Sequence, residues 1–167
     1  MPLAYDLLED ALENALRDFL RRLLMEVDVK DVYAAGLYTS GELNYLVPTA
    51  NTRSAWARMG TSKWSPPDWA FHLYASDAFE MVDAVLQKGW TDDFTSFELD
   101  ELQARLIIHR QLTAAREEFF EGSPVVMGLF MGGMGHGWVM QSVRAVNSSL
   151  VSRAFEVELG QEQSRWE

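Results

Sequence analysis

From Leu3 to Val27 the chain places Leu8, Leu12, Ala15, Leu16, Phe19, Leu20, Leu23, Leu24 and Val27 at helical spacing. Asp6, Glu9, Asp10, Glu13, Arg17, Arg21 and Arg22 fall on the opposite face. A helix with one such apolar stripe is not stable by itself in water, so a second layer must cover it. Its acids come first and its bases later, an order that suits the helix dipole.

The next segment offers strands for that layer. Val32 to Tyr38 and Leu43 to Val47 are rich in β-branched and aromatic residues, with Thr39, Ser40 and Gly41 between them as turn residues. This predicts a β-hairpin whose second strand ends at Pro48, which cannot donate to a ladder. Asn51 or Thr52 can cap a short helix through about Met59. Around Lys63-Trp64-Ser65-Pro66-Pro67-Asp68-Trp69 two readings stay open: a capping box from Ser65 to Asp68 with a helical turn to His72, or an extended segment. Ser76 is expected to cap a helix that Gly89 ends in the left-handed conformation. Thr95 with Glu98 forms a capping box for a long helix to about Phe120, stopped by Gly122 and Pro124. Val125 to Met131 is expected as a buried strand. The glycine-rich loop Gly132–Gly137 comes next, then closing helices over Trp138–Val146 and Leu150–Leu159, hinged at Asn147. The order defines an α+β fold: a small antiparallel sheet of three to four strands, made of the hairpin and the late strand, covered by five to six helices. Neither a repeat nor a linker divides the chain, so residues 1–167 are expected as a single domain.

Bulk composition narrows the function. The chain has 167 residues, 48% hydrophobic and 23% charged, enough for a core. With 25 acids against 14 bases the net charge is −11. That balance argues against nucleic acid and anionic membranes, which require a basic footprint. Cysteine is absent, which excludes disulfides, thiolate metal sites and a cysteine nucleophile. The opening residues lack the basic start and apolar run of a secretory signal, and no apolar run approaches a membrane span. A cytoplasmic location is expected.

Motifs for chemistry are sparse. Gly133, Gly135 and Gly137 alternate without the dinucleotide fingerprint or a following Lys-Ser or Lys-Thr. His72, His109 and His136 form no metal-ligand spacing, so neither metal nor cofactor is expected. There is no G-x-S-x-G elbow. Asp68 and His72 would share a face if their turn is helical, and with His136 they define a possible pocket beside the glycine loop. Two features fit binding better. Between Asp77 and Glu101 lie eight acids and a single base, Lys88, giving −7 of the total charge. A face of that charge would steer a basic partner. Among the six tryptophans, Trp64 and Trp69 flank the diproline, and indoles make strong contact anchors.

The runs GLYTSGELNYLVPTANT (Gly36 to Thr52) and KWSPPDWAFH (Lys63 to His72) resemble the bacterial family of domain of unknown function 4303 (DUF4303). Gly132–Gly137 departs from the more polar segment expected there. The resemblance carries no catalytic residues. It implies association with a class of small acidic bacterial proteins encoded beside secreted toxins, which they bind and block. The reading is therefore a non-catalytic immunity protein. It would hold a cognate toxin of basic surface through Asp92, Asp93, Glu98, Asp100 and Glu101, with Trp64 and Trp69 as anchors. The alternatives are a small-molecule enzyme or sensor using Asp68, His72 and the glycine loop, and a plain adaptor.

Overall fold

The structure, a computed structural model, describes residues 3–89, 94–132 and 136–165, with the side chains of 94–97 and 136 outside the description. The first stripe forms helix α1 (Tyr5–Glu26) and buries Leu8, Leu12, Ala15, Leu16, Phe19, Leu20 and Leu23. Each fully buried Leu or Phe contributes about 1.5–3 kcal/mol relative to exposure. The dipole argument holds only at its start: Asp6 sits in the first turn, but no base sits in the last. Instead Arg17 pairs with Glu13 and Glu118, and Arg22 with Asp18 and Asp77.

Strand β1 (Val32–Thr39) pairs antiparallel with β2 (Val47–Thr52). The second strand therefore begins where the sequence pattern ended it. Leu43 and Leu46, expected in the strand, are loop residues with fully buried side chains. Core burial claims their apolar character, and Thr39 Oγ1 donating to the Tyr45 carbonyl at 2.6 Å pins the loop. Pro48 lies inside β2, opposite Leu37. It is tolerated because β2 is an edge strand in the order β2-β1-β3.

Helix α2 (Arg53–Met59) is capped by Thr52, whose hydroxyl accepts from the Ala55 N–H, and ends at Gly60 in the left-handed conformation. Pro66–Asp68 forms a single 3-10 turn. A second 3-10 turn, Ser76–Phe79, leads into α3 (Glu80–Gly89). Ser76 is not the cap, because Ala75 takes the left-handed position before the turn and no side chain caps it. Gly89 stays out of the left-handed region. Its missing Cβ instead admits Leu3, whose Cδ1 would lie 2.3 Å from an added Cβ. Helix α4 (Phe94–Phe120) comes next, and Gly122 turns the chain at φ +69.

Strand β3 (Val126–Met131) then joins β1 in parallel, so the sheet is mixed and not antiparallel. The long passage through α2, α3 and α4 carries the chain back to the start of the sheet, which a parallel partner requires. Helices α5 (His136–Val146) and α6 (Ser149–Gln163) close the chain, with Ser148 capping α6. The described residues thus form three strands and six α-helices, an α+β fold.

Two apolar clusters flank the sheet. Ala35, Leu37, Met127 and Leu129 join α1, α3 and α4 on one side. Ala34, Val126 and Phe130 join Trp69, Val139, Val143 and Phe155 on the other. The β1–β2 register shifts between Val32 and Ala34. A bulge of this kind breaks the period-two alternation, and consecutive Tyr33 and Ala34 both enter the second cluster.

Both sheet edges are closed. Outside β3, the Met127 N–H donates to Asn147 Oδ1 at 3.0 Å and the Leu129 N–H to Ser142 Oγ at 2.8 Å. Outside β2, the Phe71 and Leu73 N–H groups donate to the Ala50 and Pro48 carbonyls. Unpaired strand edges recruit other chains, and these contacts occupy them.

Candidate functional site

Among the described acids singled out from sequence, several are paired or buried and do not stand free at the surface. Asp77 pairs with Arg22. Asp83 is half-buried and accepts the Leu46 N–H at 2.9 Å. Asp100 is only 7% exposed and accepts from the Tyr5 hydroxyl. That bond, with burial, pushes the Tyr5 phenol up to about 12. Glu101 pairs at 2.6 Å with Arg105, itself buried. Among the acids proposed for contact, Glu98 is exposed, and Asp92 and Asp93 lie outside the described residues. Asp100 is thus corrected from a surface charge to a buried acceptor, because a helix start that packs on α1 turns one of its carboxylates inward.

The same part of α4 carries something the charge count overlooked. Leu99, Leu102 and Leu106 are 60%, 50% and 52% exposed. Spaced i, i+3, i+7, they lie on one helical face, opposite Ala104, Ile108, Leu112 and Ala115, which pack into the core. Trp138 of α5 is 46% exposed, and the Arg105 guanidinium stacks 4.1 Å from its ring centroid. The signal was legible: Leu99, Leu102 and Leu106 repeat at helical spacing on the side opposite the Ala104, Ile108, Leu112 and Ala115 stripe.

Trp56, Trp64 and Trp69 gather on the other side of the sheet. Trp69 is 3% exposed and packs on Phe130, with ring centroids 5.1 Å apart, so it is core and not a protruding anchor. Trp64 is half-buried between Tyr33 and Phe155, at 5.4 and 4.6 Å. Lys63 lies among them. Its carbonyl accepts from the Tyr33 hydroxyl at 2.7 Å and from Trp69 Nε1 at 2.9 Å. Glu162 of α6 accepts the Lys63 and Trp64 N–H groups at 2.6 and 3.1 Å. The Lys63 ammonium pairs with Glu158 at 2.5 Å. It also stands 5.2–5.3 Å from the ring centroids of Tyr33, Trp56 and Trp64. Burial pushes the Tyr33 phenol up. The bulge in β1 is what aims Tyr33 at this site.

Asp68 and His72 sit at the sheet's β2 edge. Asp68 accepts from Ser65 Oγ at 2.6 Å, and His72 Nδ1 lies 3.2 Å from Thr49 Oγ1. Burial holds His72 below its usual value of 6.5, against the pull of Asp68. The third member of the expected pocket, the His136 side chain, lies outside the described residues, as do Gly133–Gly135 of the glycine loop. The described residues contain no group of three or more potential metal ligands. None of their helices is long and apolar enough to cross a membrane.

Fold and sites together define a small α+β protein with an exposed apolar face on α4 and an aromatic cage filled by Lys63. The chain belongs to the family described as domain of unknown function (DUF4303), whose profile matches residues 12–122. No curated protein and no solved structure matches it. The matched residues run from Leu12 within α1 through β1, β2 and the Lys63–His72 segment to the end of α4; β3, α5 and α6 come after them.

Proposed function

We propose that the protein works without catalysis, as an immunity-type protein that binds a bacterial toxin domain and blocks it sterically. The observation that carries this reading is the face of α4 where Leu99, Leu102 and Leu106 lie half or more exposed beside Trp138. Large apolar side chains grouped on one helix face, rimmed by charge, are the composition of a protein contact. Glu98 supplies an acidic rim, and a partner with a basic margin around an apolar patch complements it. Binding there would cover the toxin's active site or its approaches.

The test is a double substitution, Leu102→Asp with Leu106→Asp. Both positions face water, so the melting temperature should move little. Co-purification of a stoichiometric partner from the native cells should be lost, together with protection against the toxin. Full recovery of the partner by the folded variant would remove this face from the account. Turnover of a substrate by the pure protein would end the non-catalytic reading.

A further inference from the structure

The surroundings of Lys63 are those of a cation receptor. Three aromatic rings, Tyr33, Trp56 and Trp64, face one ammonium at 5.2–5.3 Å, and Glu158 closes the fourth side. Rings in this arrangement attract a cation through their quadrupoles, most strongly where water is excluded, and such cages suit quaternary ammonium groups. The cage is built independently of the lysine side chain. Tyr33 is held by Asn51 at 3.0 Å, Trp56 Nε1 donates to the Thr61 carbonyl at 3.0 Å, and the Lys63 backbone is fastened by Tyr33, Trp69 and Glu162. Beside the ammonium a cavity of about 240 Å³ opens to solvent, lined by Trp56, Trp64, Glu158 and Glu162 among others.

We propose that this cage is a binding site for a trimethylammonium group, with Lys63 as its resident competitor. The Lys63 side chain is 24% exposed, so it has a route into solvent. Its ion pair with Glu158, itself 42% exposed, is worth at most about 1 kcal/mol. A primary ammonium from outside has no advantage over the tethered lysine, whose effective concentration is of millimolar order. A trimethylammonium group has one: it is weakly hydrated, keeps its charge, and presents methyl groups to all three rings. The adjoining cavity receives the rest of the ligand. This site is separate from the α4 face, and neither reading depends on the other.

The probes are choline chloride and a short peptide carrying trimethyllysine, titrated against indole fluorescence, with sodium chloride at equal ionic strength as the control. Wild-type protein should respond saturably to at least one probe. Lys63→Ala should bind about tenfold more tightly, because the tethered competitor is gone. Trp56→Ala in the same background should abolish the response. Should Lys63→Ala fail to give a cooperative melt, Lys63→Met keeps the apolar stem and serves the same comparison. Tighter binding of the peptide places the ligand on a protein partner; tighter binding of choline places it among small molecules. Responses indistinguishable from sodium chloride in both wild type and the folded Lys63 variant would overturn the proposal and leave Lys63 as a latch for α6.

Discussion

Asp83 shows how a single residue can look like surface charge and act as structure. In sequence it belongs to the acidic run; in the fold it receives the Leu46 N–H and so holds the hairpin loop to α3. Burial raises its carboxyl above the usual 3.8, with the Leu46 bond opposing. The folded protein therefore takes up this proton more readily than the unfolded chain. Between 3.8 and the raised value, stability falls as pH rises. Asp83→Asn keeps an acceptor oxygen for Leu46 and removes the charge. Its melting temperature should equal or exceed that of wild type at about pH 7, and the gap should close as pH falls toward about 4. A gap that widens on acidification would show that the charge itself stabilises the fold. His109 follows the other sign: burial and nearby Arg105 both hold it below 6.5.

At the scale of elements, α5 is the piece that makes a three-stranded sheet tenable. Its register on β3 is close, since an added Cβ at Gly128 would lie 3.1 Å from Val143 Cγ2. Across the strand pair, Gly36 has φ +153, and an added Cβ there would lie 2.2 Å from the Gly128 carbonyl. These two glycines set how near β1, β3 and α5 can come. Asn147, at the end of α5, then serves both strand and helix. Its Oδ1 accepts from Met127 N and Arg116 Nε, and its Nδ2 donates to the Met127 and Val143 carbonyls. Asn147→Ala leaves several of these partners unsatisfied at once and should cost about 2–3 kcal/mol. Denaturant unfolding measures it; a loss under about 0.5 kcal/mol would mean that water replaces the amide freely. The hinge expected at Asn147 is thus a fastening, because a short polar side chain after a helix end reaches the neighbouring strand's backbone.

At the scale of the whole molecule, charge acts through its sum. A net charge of −11 gives a field that would reach the basic partner of the proposed complex before any one carboxylate does. With Asp100 buried and Glu101 paired, steering in the proposed complex belongs to this total. Association with a basic toxin should therefore slow steeply as salt rises from about 0.01 to 0.15 M, over which the screening length falls from about 30 to 8 Å. Glu98→Lys alone should change the low-salt on-rate by less than about threefold. Stopped-flow mixing separates the two; a larger effect of Glu98 would restore a local patch.

Much of the architecture was legible in the chain. Helix α1, the cap at Thr52, the late strand and the two closing helices arise from apolar period and turn chemistry, which are local properties. Three things were not local. The parallel docking of β3 depends on where α2, α3 and α4 return the chain. The buried state of Leu43, Leu46, Trp69 and Asp100 depends on which element packs above each one. The Lys63 cage joins Tyr33, Trp56 and Trp64 to Glu158 and Glu162 from the far end of the sequence. Composition alone determined that this is an acidic, cysteine-free chain able to bury a core under amphipathic helices. Only the tertiary structure decided which charges and rings face water, because exposure is a property of neighbours that sequence spacing does not record.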